Sequence, residues 1–409
     1  MVALAAARHG ASVVSPAVTI DFPPGFVWGT STAAHQTEGG NWNNDWWEFE
    51  HREGSGCVDV SGDAVDHFHR YPDDIRMLRD LGFGAYRFSL EWSRIEPEEG
   101  EWSKAALDHY RRMLACCLEH DVTPVVTFHH FTTPRWLAAR GGWAEPAVVD
   151  HFARFCERST AALGDLIGMG CTINEPNVVS VLGFISAEFP PGVRDFAAFG
   201  RVNENMIAAH RKSYDVIKAG RGDFPLGLTV SMSDWWAPEG AEDRMANTRF
   251  GHEGQFCEAA RGDDYFGVQA YTRIRLDEHG MPTGNEPGIE VLDMGYEYWP
   301  QGLEVSIRYA AETAQVPIYV TENGIGTTDD ELRIRYTTEA LEGVGRCLAD
   351  GLDVRGYFHW SLMDNFEWAQ GYKPQFGLVA VDRETQQRTP KPSGAWLGAI
   401  ARTNRLTQP

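Results

Sequence analysis

The sequence predicts an α/β chain folded as a single (β/α)8 barrel, the TIM-barrel architecture. Eight short apolar segments recur along the 409 residues, at 26–33, 85–95, 122–130, 166–176, 224–232, 265–271, 317–324 and 354–362. Several are too continuously apolar for a sheet with one wet face, so they read as parallel strands buried on both sides. Amphipathic stretches separate them, and strands alternating with helices give parallel sheets. A doubly wound open sheet is the alternative, but no G-x-G-x-x-G turn or phosphate-binding loop follows any strand.

In chain order, the first twenty residues are alanine-rich, and Arg8 follows a short apolar run instead of preceding it. A secretory signal has the opposite order. Residues 1–20 are therefore expected to be a disordered tail and residues 21–409 the barrel domain. After the first strand, Pro72 suits a first helical position, with Asp73 and Asp74 at the positive helix end. Ile75, Leu78 and Leu81 share one face, and Gly82 can end that helix. Leu107, Tyr110, Leu114, Cys117 and Leu118 follow helical spacing after the second strand. Pro146 opens a helix carrying Val149, Phe152, Phe155 and Cys156. The polar stretches 233–263 and 272–299 read as long loops. Leu341, Val344 and Leu348 mark the helix before the eighth strand.

Composition narrows the function. Thirty-six basic residues against 58 acidic ones give a net charge of −22, which argues against nucleic-acid partners and against anionic membrane surfaces. No segment approaches the roughly 20 apolar residues of a membrane helix. The seven cysteines are odd in number and contain no C-x-x-C spacing. They form neither a disulfide framework nor a zinc pattern, and a reducing compartment, the cytoplasm, is expected.

The active face of a barrel lies at the C-terminal ends of its strands. Glu175 ends the fourth strand, in Thr-Ile-Asn-Glu-Pro, and Glu322 ends the seventh, in Val-Thr-Glu-Asn-Gly. Strands four and seven lie on opposite sides of an eight-stranded ring, so the two carboxylates can face each other across its mouth. Paired carboxylates are the machinery of glycoside hydrolysis; structural ion pairing of each Glu is the competing reading. Arg87, in the otherwise apolar second strand, needs an anionic partner because an unpaired buried charge is costly. A carboxylate at the mouth would serve, and the pair would keep a nucleophile ionised. His129 and His130 point to opposite faces of the third strand, so they do not chelate one metal together, and no H-E-x-x-H pattern supports zinc. Aromatic residues crowd the strand ends: Trp42, Trp46, Trp47, Phe131, Trp136, Trp143, Trp235, Trp236, Trp299, Trp360, Trp368 and Tyr372. They can pack, or they can stack on the C–H faces of sugar rings.

These residues resemble family 1 of the glycoside hydrolases, the β-glucosidase family, from about Asp21 to Trp396. The run Phe26 to Gly39 is similar to the family's N-terminal signature, and Tyr86 to Ile95 to its second-strand motif. Thr172–Pro176 resembles the acid/base motif and Val320–Gly324 the nucleophile motif. The stretch from Gly356 through Trp360, Glu367 and Trp368 to Leu378 resembles the C-terminal sugar-binding motif.

The resemblance implies an exo-acting retaining β-glycosidase that removes terminal β-glucosyl groups, with tolerance for β-galactosyl or β-fucosyl. Glu322 would be the nucleophile and Glu175 the acid/base. Arg87 and Tyr271 would orient Glu322, and Asn174 would bind the sugar 2-hydroxyl. Gln36, His130, Glu367 and Trp368 would hold the other hydroxyls, over Trp360 as a stacking floor. The implied partners are β-glycosides or short oligosaccharides, with no metal and no cofactor. Members acting on 6-phosphorylated sugars lack the Glu367–Trp368 pair, and an anionic Glu367 would repel a phosphate. A transglycosylase using the same residues, or a sugar-binding protein without turnover, is the alternative. Departures from the family pattern are Phe131-Thr132 in place of Trp-Asp, Gln269 in place of Asn, Thr37 in place of an aliphatic residue and Gln375 in place of Arg. The chain is also shorter than many members, which implies trimmed aglycone loops.

Overall fold

A computed structural model describes residues 19–407. Eight parallel strands close into a barrel: β1 (Val27–Ser31), β2 (Ala85–Ser89), β3 (Thr123–His129), β4 (Met169–Asn174), β5 (Leu226–Trp236), β6 (Tyr265–Arg275), β7 (Ile318–Asn323) and β8 (Val354–Trp360). Each pairs with its sequence neighbour, and β1 pairs with β8 to close the ring. All eight expected strand segments are present. The expected tail lies outside the described residues as far as position 18. Thr19 and Ile20, placed in that tail by the sequence, instead belong to a short strand, Thr19–Asp21, that pairs antiparallel with Arg405–Thr407.

The principal helices pack outside the barrel: α1 (His67–Leu81), α2 (Lys104–Glu119), α3 (Val148–Leu163), α4 (Phe196–Lys218), α5 (Gly302–Ala314), α6 (Asp330–Ala349) and α7 (Pro392–Thr403). Their apolar faces meet the strands in one large core that includes Ile75, Leu78, Leu114, Phe152, Phe155 and Val344. Burying each such side chain contributes roughly 1.5–3 kcal/mol.

Three local expectations are corrected. Helix α1 begins at His67, so Pro72 lies inside it. Asp66 enters the helix in a left-handed conformation, φ 51°, which carries no propensity signal, whereas Pro72 imitates a start. Gly82 does end α1, with φ 115°. In α2, Leu118 matches the spacing but is exposed, while Met113 and Cys116 are buried in its stead. Finally, the polar stretch 233–263 is largely ordered: its start extends β5, and Glu242–Arg249, Phe250–Gly254 and Gln255–Ala259 are helical. The first of these pieces buries no residue, so no apolar stripe announces it.

Strand pairing is irregular where the site is built. Register shifts fall between Cys171 and Asn174 on β4, between Val268 and Gln269 on β6, and between Val320 and Asn323 on β7 and β8. Irregular pairing re-aims the side chains at a strand end. Here it releases Asn174, Gln269 and Glu322 from regular alternation.

Candidate active site

The C-terminal strand ends enclose a cavity of about 250 Å3. Glu175, Glu322, Glu367, His130, Phe131, Tyr271, Trp360 and Trp368 border it, together with Ser231, Val178, Leu182, Phe189, Met294, Tyr296 and Phe376. Apolar walls with a few converging polar groups suit a small polar ligand.

Glu322 is held from both sides. The Arg87 guanidinium donates to Oε1 at 2.5 Å, and the Tyr271 hydroxyl donates to Oε2 at 2.6 Å. Arg87, fully buried on β2, also donates to Asn174 Oδ1 at 2.5 Å. Gln269 Nε2 reaches the same Asn174 oxygen at 3.0 Å, and the Thr229 hydroxyl reaches it at 3.2 Å. Asn174 Nδ2 faces His130 Nε2 at 3.2 Å. The network pins the Asn174 amide, with its oxygen towards Arg87. Gly324 follows the Glu322-Asn323 pair closely packed on β8, where an added Cβ would collide with the Trp360 carbonyl oxygen.

Glu175 is treated differently. It sits at φ 44° in the left-handed region, one residue before the short helix Pro176–Val181. Non-glycine residues occupy that region at a cost of about 1 kcal/mol or more. The turn carries its carboxyl off the end of β4 and into the cavity, with its N–H on the Thr229 carbonyl at 2.9 Å. No cation forms an ion pair with it among the described residues. Burial, then the neighbouring Glu322 charge, pushes its carboxyl well above the usual range, against an opposing pull from Arg87. Burial also raises Glu322, but Arg87, Tyr271 and Gln269 oppose that rise. Glu322 therefore gives up its proton more readily than Glu175.

Glu367 is the third acid. Gln36 Nε2 donates to its Oε2 at 3.2 Å and to the Phe366 carbonyl at 2.8 Å. Burial and then Glu322 push the Glu367 carboxyl up to about 8. That rise weakens the charge repulsion of a phosphate that the sequence suggested. The His130 ring stacks near Trp360 (centroids 5.9 Å) and near Trp368 (6.1 Å). Burial and Arg87 keep its imidazole well below its ordinary pKa, hence neutral.

The structure brings all ten sequence-selected site residues to this region, in two layers. Gln36, Arg87 and Asn174 do not border the cavity but touch residues that do. Buried polar atoms without partners cluster here: Gln36 Oε1, His130 Nδ1, Gln269 Oε1 and Arg87 Nε. Such atoms are rare in native proteins and mark places where a polar ligand or water can bind. Among the described residues no group of three or more His, Cys, Asp or Glu is placed to hold a metal.

Sequence reasoning missed Tyr296 and Met294, which reach the cavity from the stretch read as a loop, and Val178, Leu182 and Ser231. Only tertiary closure places these, and no local pattern signals them. Conversely, Trp136 and Trp143 turn their indole N–H groups to the Glu96 carbonyl and to His129, and Trp235 turns its own to Glu253. Those aromatics pack. Of the departures, Phe131 lies on the cavity wall and Thr132 bonds Glu91 at 3.0 Å, while Thr37 bonds the Ala33 carbonyl at 2.8 Å. The Gln375 carbonyl accepts from Arg333 at 2.6 Å.

Comparison with known proteins agrees with this geometry. The family model described as glycosyl hydrolase family 1 matches residues 18–265 and 263–406. Thermostable beta-glucosidase B of Thermobispora bispora is 34% identical over 98% of this chain and 95% of its own length. The 1,4-beta-D-glucan glucohydrolase of Thermotoga neapolitana is 32% identical over 94% of this chain and 99% of its own. That alignment spans 441 positions, more than the 409 residues here, so gaps fall in this chain. Among solved structures, beta-glycosidase BGL167 shares 47% identity at a TM-score of 0.87, covering 93% of this chain and 97% of its own. The Thermotoga maritima beta-glucosidase in complex with deoxynojirimycin superposes at a TM-score of 0.88 with 28% identity, over 94% and 99% of the two chains. With the barrel, the paired carboxylates and these matches in agreement, the chain belongs to glycosyl hydrolase family 1.

Proposed function

We propose that this protein is a retaining, exo-acting β-glucosidase that removes terminal β-glucosyl groups by double displacement. One observation carries the reading. Two buried carboxyls face one small cavity, and their surroundings divide the proton between them: Glu322 is clamped by Arg87 and Tyr271, while Glu175 forms no ion pair among the described residues. Two acids with separated pKa values mark the acid and nucleophile roles of such chemistry.

In the first step Glu322 attacks the anomeric carbon, and the bond from that carbon to the leaving oxygen breaks. Glu175 gives its proton to that oxygen, and the aglycone departs as an alcohol. The sugar is left as an ester on Glu322. Glu175, now ionised, takes a proton from water as the water oxygen attacks the anomeric carbon, and the ester bond breaks. The product keeps the β configuration. His130, Glu367 and Trp368 surround the sugar hydroxyls, with Trp360 beneath the ring, and Asn174 and Gln36 support them from behind the cavity wall. The relatives that are named beta-glucosidases support glucose as the terminal sugar. The reading extends to β-galactosyl and β-fucosyl groups.

The test is nitrophenyl β-glucoside hydrolysis by the protein and by its Glu322→Ala variant. The wild type is expected to turn over and release β-glucose before α-glucose, as seen by proton NMR. The variant is expected to lose about 10⁴-fold or more, the scale of removing a covalent nucleophile. Full activity in the variant, or α-glucose as first product, defeats the reading.

The cytoplasm is the proposed location, because the seven cysteines are free thiols and six of them are buried. Fewer than seven titratable thiols in denatured, unreduced protein would contradict it. Among the described residues no helix is long and apolar enough to cross a membrane.

A further inference from the structure

We propose that the groove beside the segment following β1 is a second, non-catalytic site for a neutral saccharide ring. A cavity of about 490 Å3 opens there and shares no bordering residue with the catalytic one. The residues that matter are Asn41, Trp42, Phe68, Arg94, His109 and Arg112.

Trp42 leaves 60% of its surface in water. A large aromatic face exposed at the edge of a cavity is an interaction surface waiting for an apolar partner, and the C–H face of a sugar ring is one. Two residues bordering the same cavity carry unsatisfied polar atoms. Asn41 and His109 are both buried, yet Asn41 Oδ1 and His109 Nε2 have no hydrogen-bond partner. Each such atom costs about 1–3 kcal/mol, which a ligand hydroxyl entering the cavity would recover. Their positions are fixed. Asn41 Nδ2 donates to Glu38 at 3.3 Å, which fixes the amide with its oxygen unpartnered. The His109 ring stacks on Phe68 with centroids 3.7 Å apart, and Arg94 lies over the same Phe68 ring at 4.3 Å.

The available chemistry is that of hydroxyls. Burial, then Arg112 and Arg94, push the His109 imidazole down to about 4, so at neutral pH it offers one donor and one acceptor. Asn41 offers an acceptor. Arg94 is engaged by Glu38 at 2.9 Å and so is not available to an anion. Arg112, exposed at the rim, forms no ion pair among the described residues, but a lone rim cation binds anions weakly. A neutral ring that presents hydroxyls inward and a C–H face to Trp42 satisfies every free group.

The indole N–H signal of Trp42 in labelled full-length protein, identified by its loss in Trp42→Phe, reads the site directly. Glucose and cellotriose are the probes, in the presence of saturating deoxynojirimycin to hold the catalytic cavity. Saturable displacement of the Trp42 signal is expected, weakened about tenfold in His109→Ala. Tighter binding of cellotriose than of glucose assigns the site to longer chains. No displacement at the highest soluble concentration overturns the proposal, as does displacement unaltered in both His109→Ala and Asn41→Ala. A response to glucose 6-phosphate but not to glucose also overturns it, in favour of an anion site. Failure to bind deoxynojirimycin would count against the proposed catalytic function alone, because the Trp42 signal still reports on its own groove.

Discussion

Asp74 and Glu175 are both buried carboxylates, and their surroundings are opposite. On α1, Asp74 accepts from His67 at 2.8 Å and from two Arg388 nitrogens at 2.8 and 3.0 Å. Burial alone would raise its pKa, but His67 and Arg388 more than offset that, and the carboxyl lies below its usual range. At the catalytic cavity three acids, Glu175, Glu322 and Glu367, converge, and Arg87 is the one cation bonded to any of them among the described residues. The same fold that satisfies a structural acid leaves the acids proposed as catalytic under-compensated. Such undersupply of counter-charge raises the carboxyl pKa values, as a proton donor requires, and it is expected to cost stability.

Between these two acids, the larger expected effect is at Glu175. On the proposed reading, Glu175→Ala lowers kcat/KM for alkyl β-glucosides about 10²–10⁴-fold, with a much smaller loss for nitrophenyl glucosides, whose leaving group needs no proton. The pH profile supplies the sign. Glu175 must carry its proton, so activity falls as pH rises through its raised pKa. Glu322 must be ionised, so activity falls again as pH drops through its own lower value. The alkaline limb should vanish in Glu175→Ala. Equal losses for both leaving groups, or an unchanged alkaline limb, would remove the contrast with Asp74.

Asp74→Asn comes next and acts on stability. Removing one partner from a buried pair leaves Arg388 uncompensated and costs about 3–5 kcal/mol. The folded pKa of Asp74 is depressed. Its contribution is therefore full above the unfolded value near 3.8 and is lost as pH falls through the folded value. Denaturant unfolding should show a large gap between wild type and Asp74→Asn at pH 7 that narrows in acid. Activity per folded molecule should stay within about twofold. A gap independent of pH would mean that packing, not charge, is what Asp74 supplies.

The two acids also differ in how far the sequence discloses them. Glu175 and Glu322 were legible because strand-terminal position in a barrel has a fixed meaning, and because Pro176 and the Asn323-Gly324 pair mark the turns that follow. Arg87 was legible because an arginine in an apolar strand demands a partner, and Glu322 is that partner. The role of Asp74 was misread. Next to Pro72 it looked like a helix-start acid, whereas its partners come from His67 and from Arg388, 314 positions away. No local pattern encodes such a pairing. Tyr296 was hidden for the same reason, and so was the helical stretch beginning at Glu242, which buries nothing to set a period. In the sequence Trp42 is one of many strand-end aromatics; its exposure is a tertiary fact.

The smallest expected effect tests whether the catalytic acids really cost stability. Glu367 has a carboxyl raised to about 8 from 4.5, with burial as the leading cause and Glu322 next. Below pH 4.5 it is protonated both folded and unfolded, and it contributes nothing. As pH rises, the unfolded chain releases the proton first while the folded chain retains it, so stability declines until the folded pKa is passed. Glu367→Gln keeps the shape and the Gln36 contact but removes the titration. The variant should match wild type near pH 4 and exceed it by on the order of 1–3 kcal/mol above pH 8, measured as unfolding free energy across that range. Its kcat/KM should fall at the same time, because the carboxyl that weakens the fold is the group proposed to grip the sugar. A variant less stable than wild type at pH 8 would mean that Glu367 is as well compensated as Asp74, and that the catalytic cavity is not under electrostatic load.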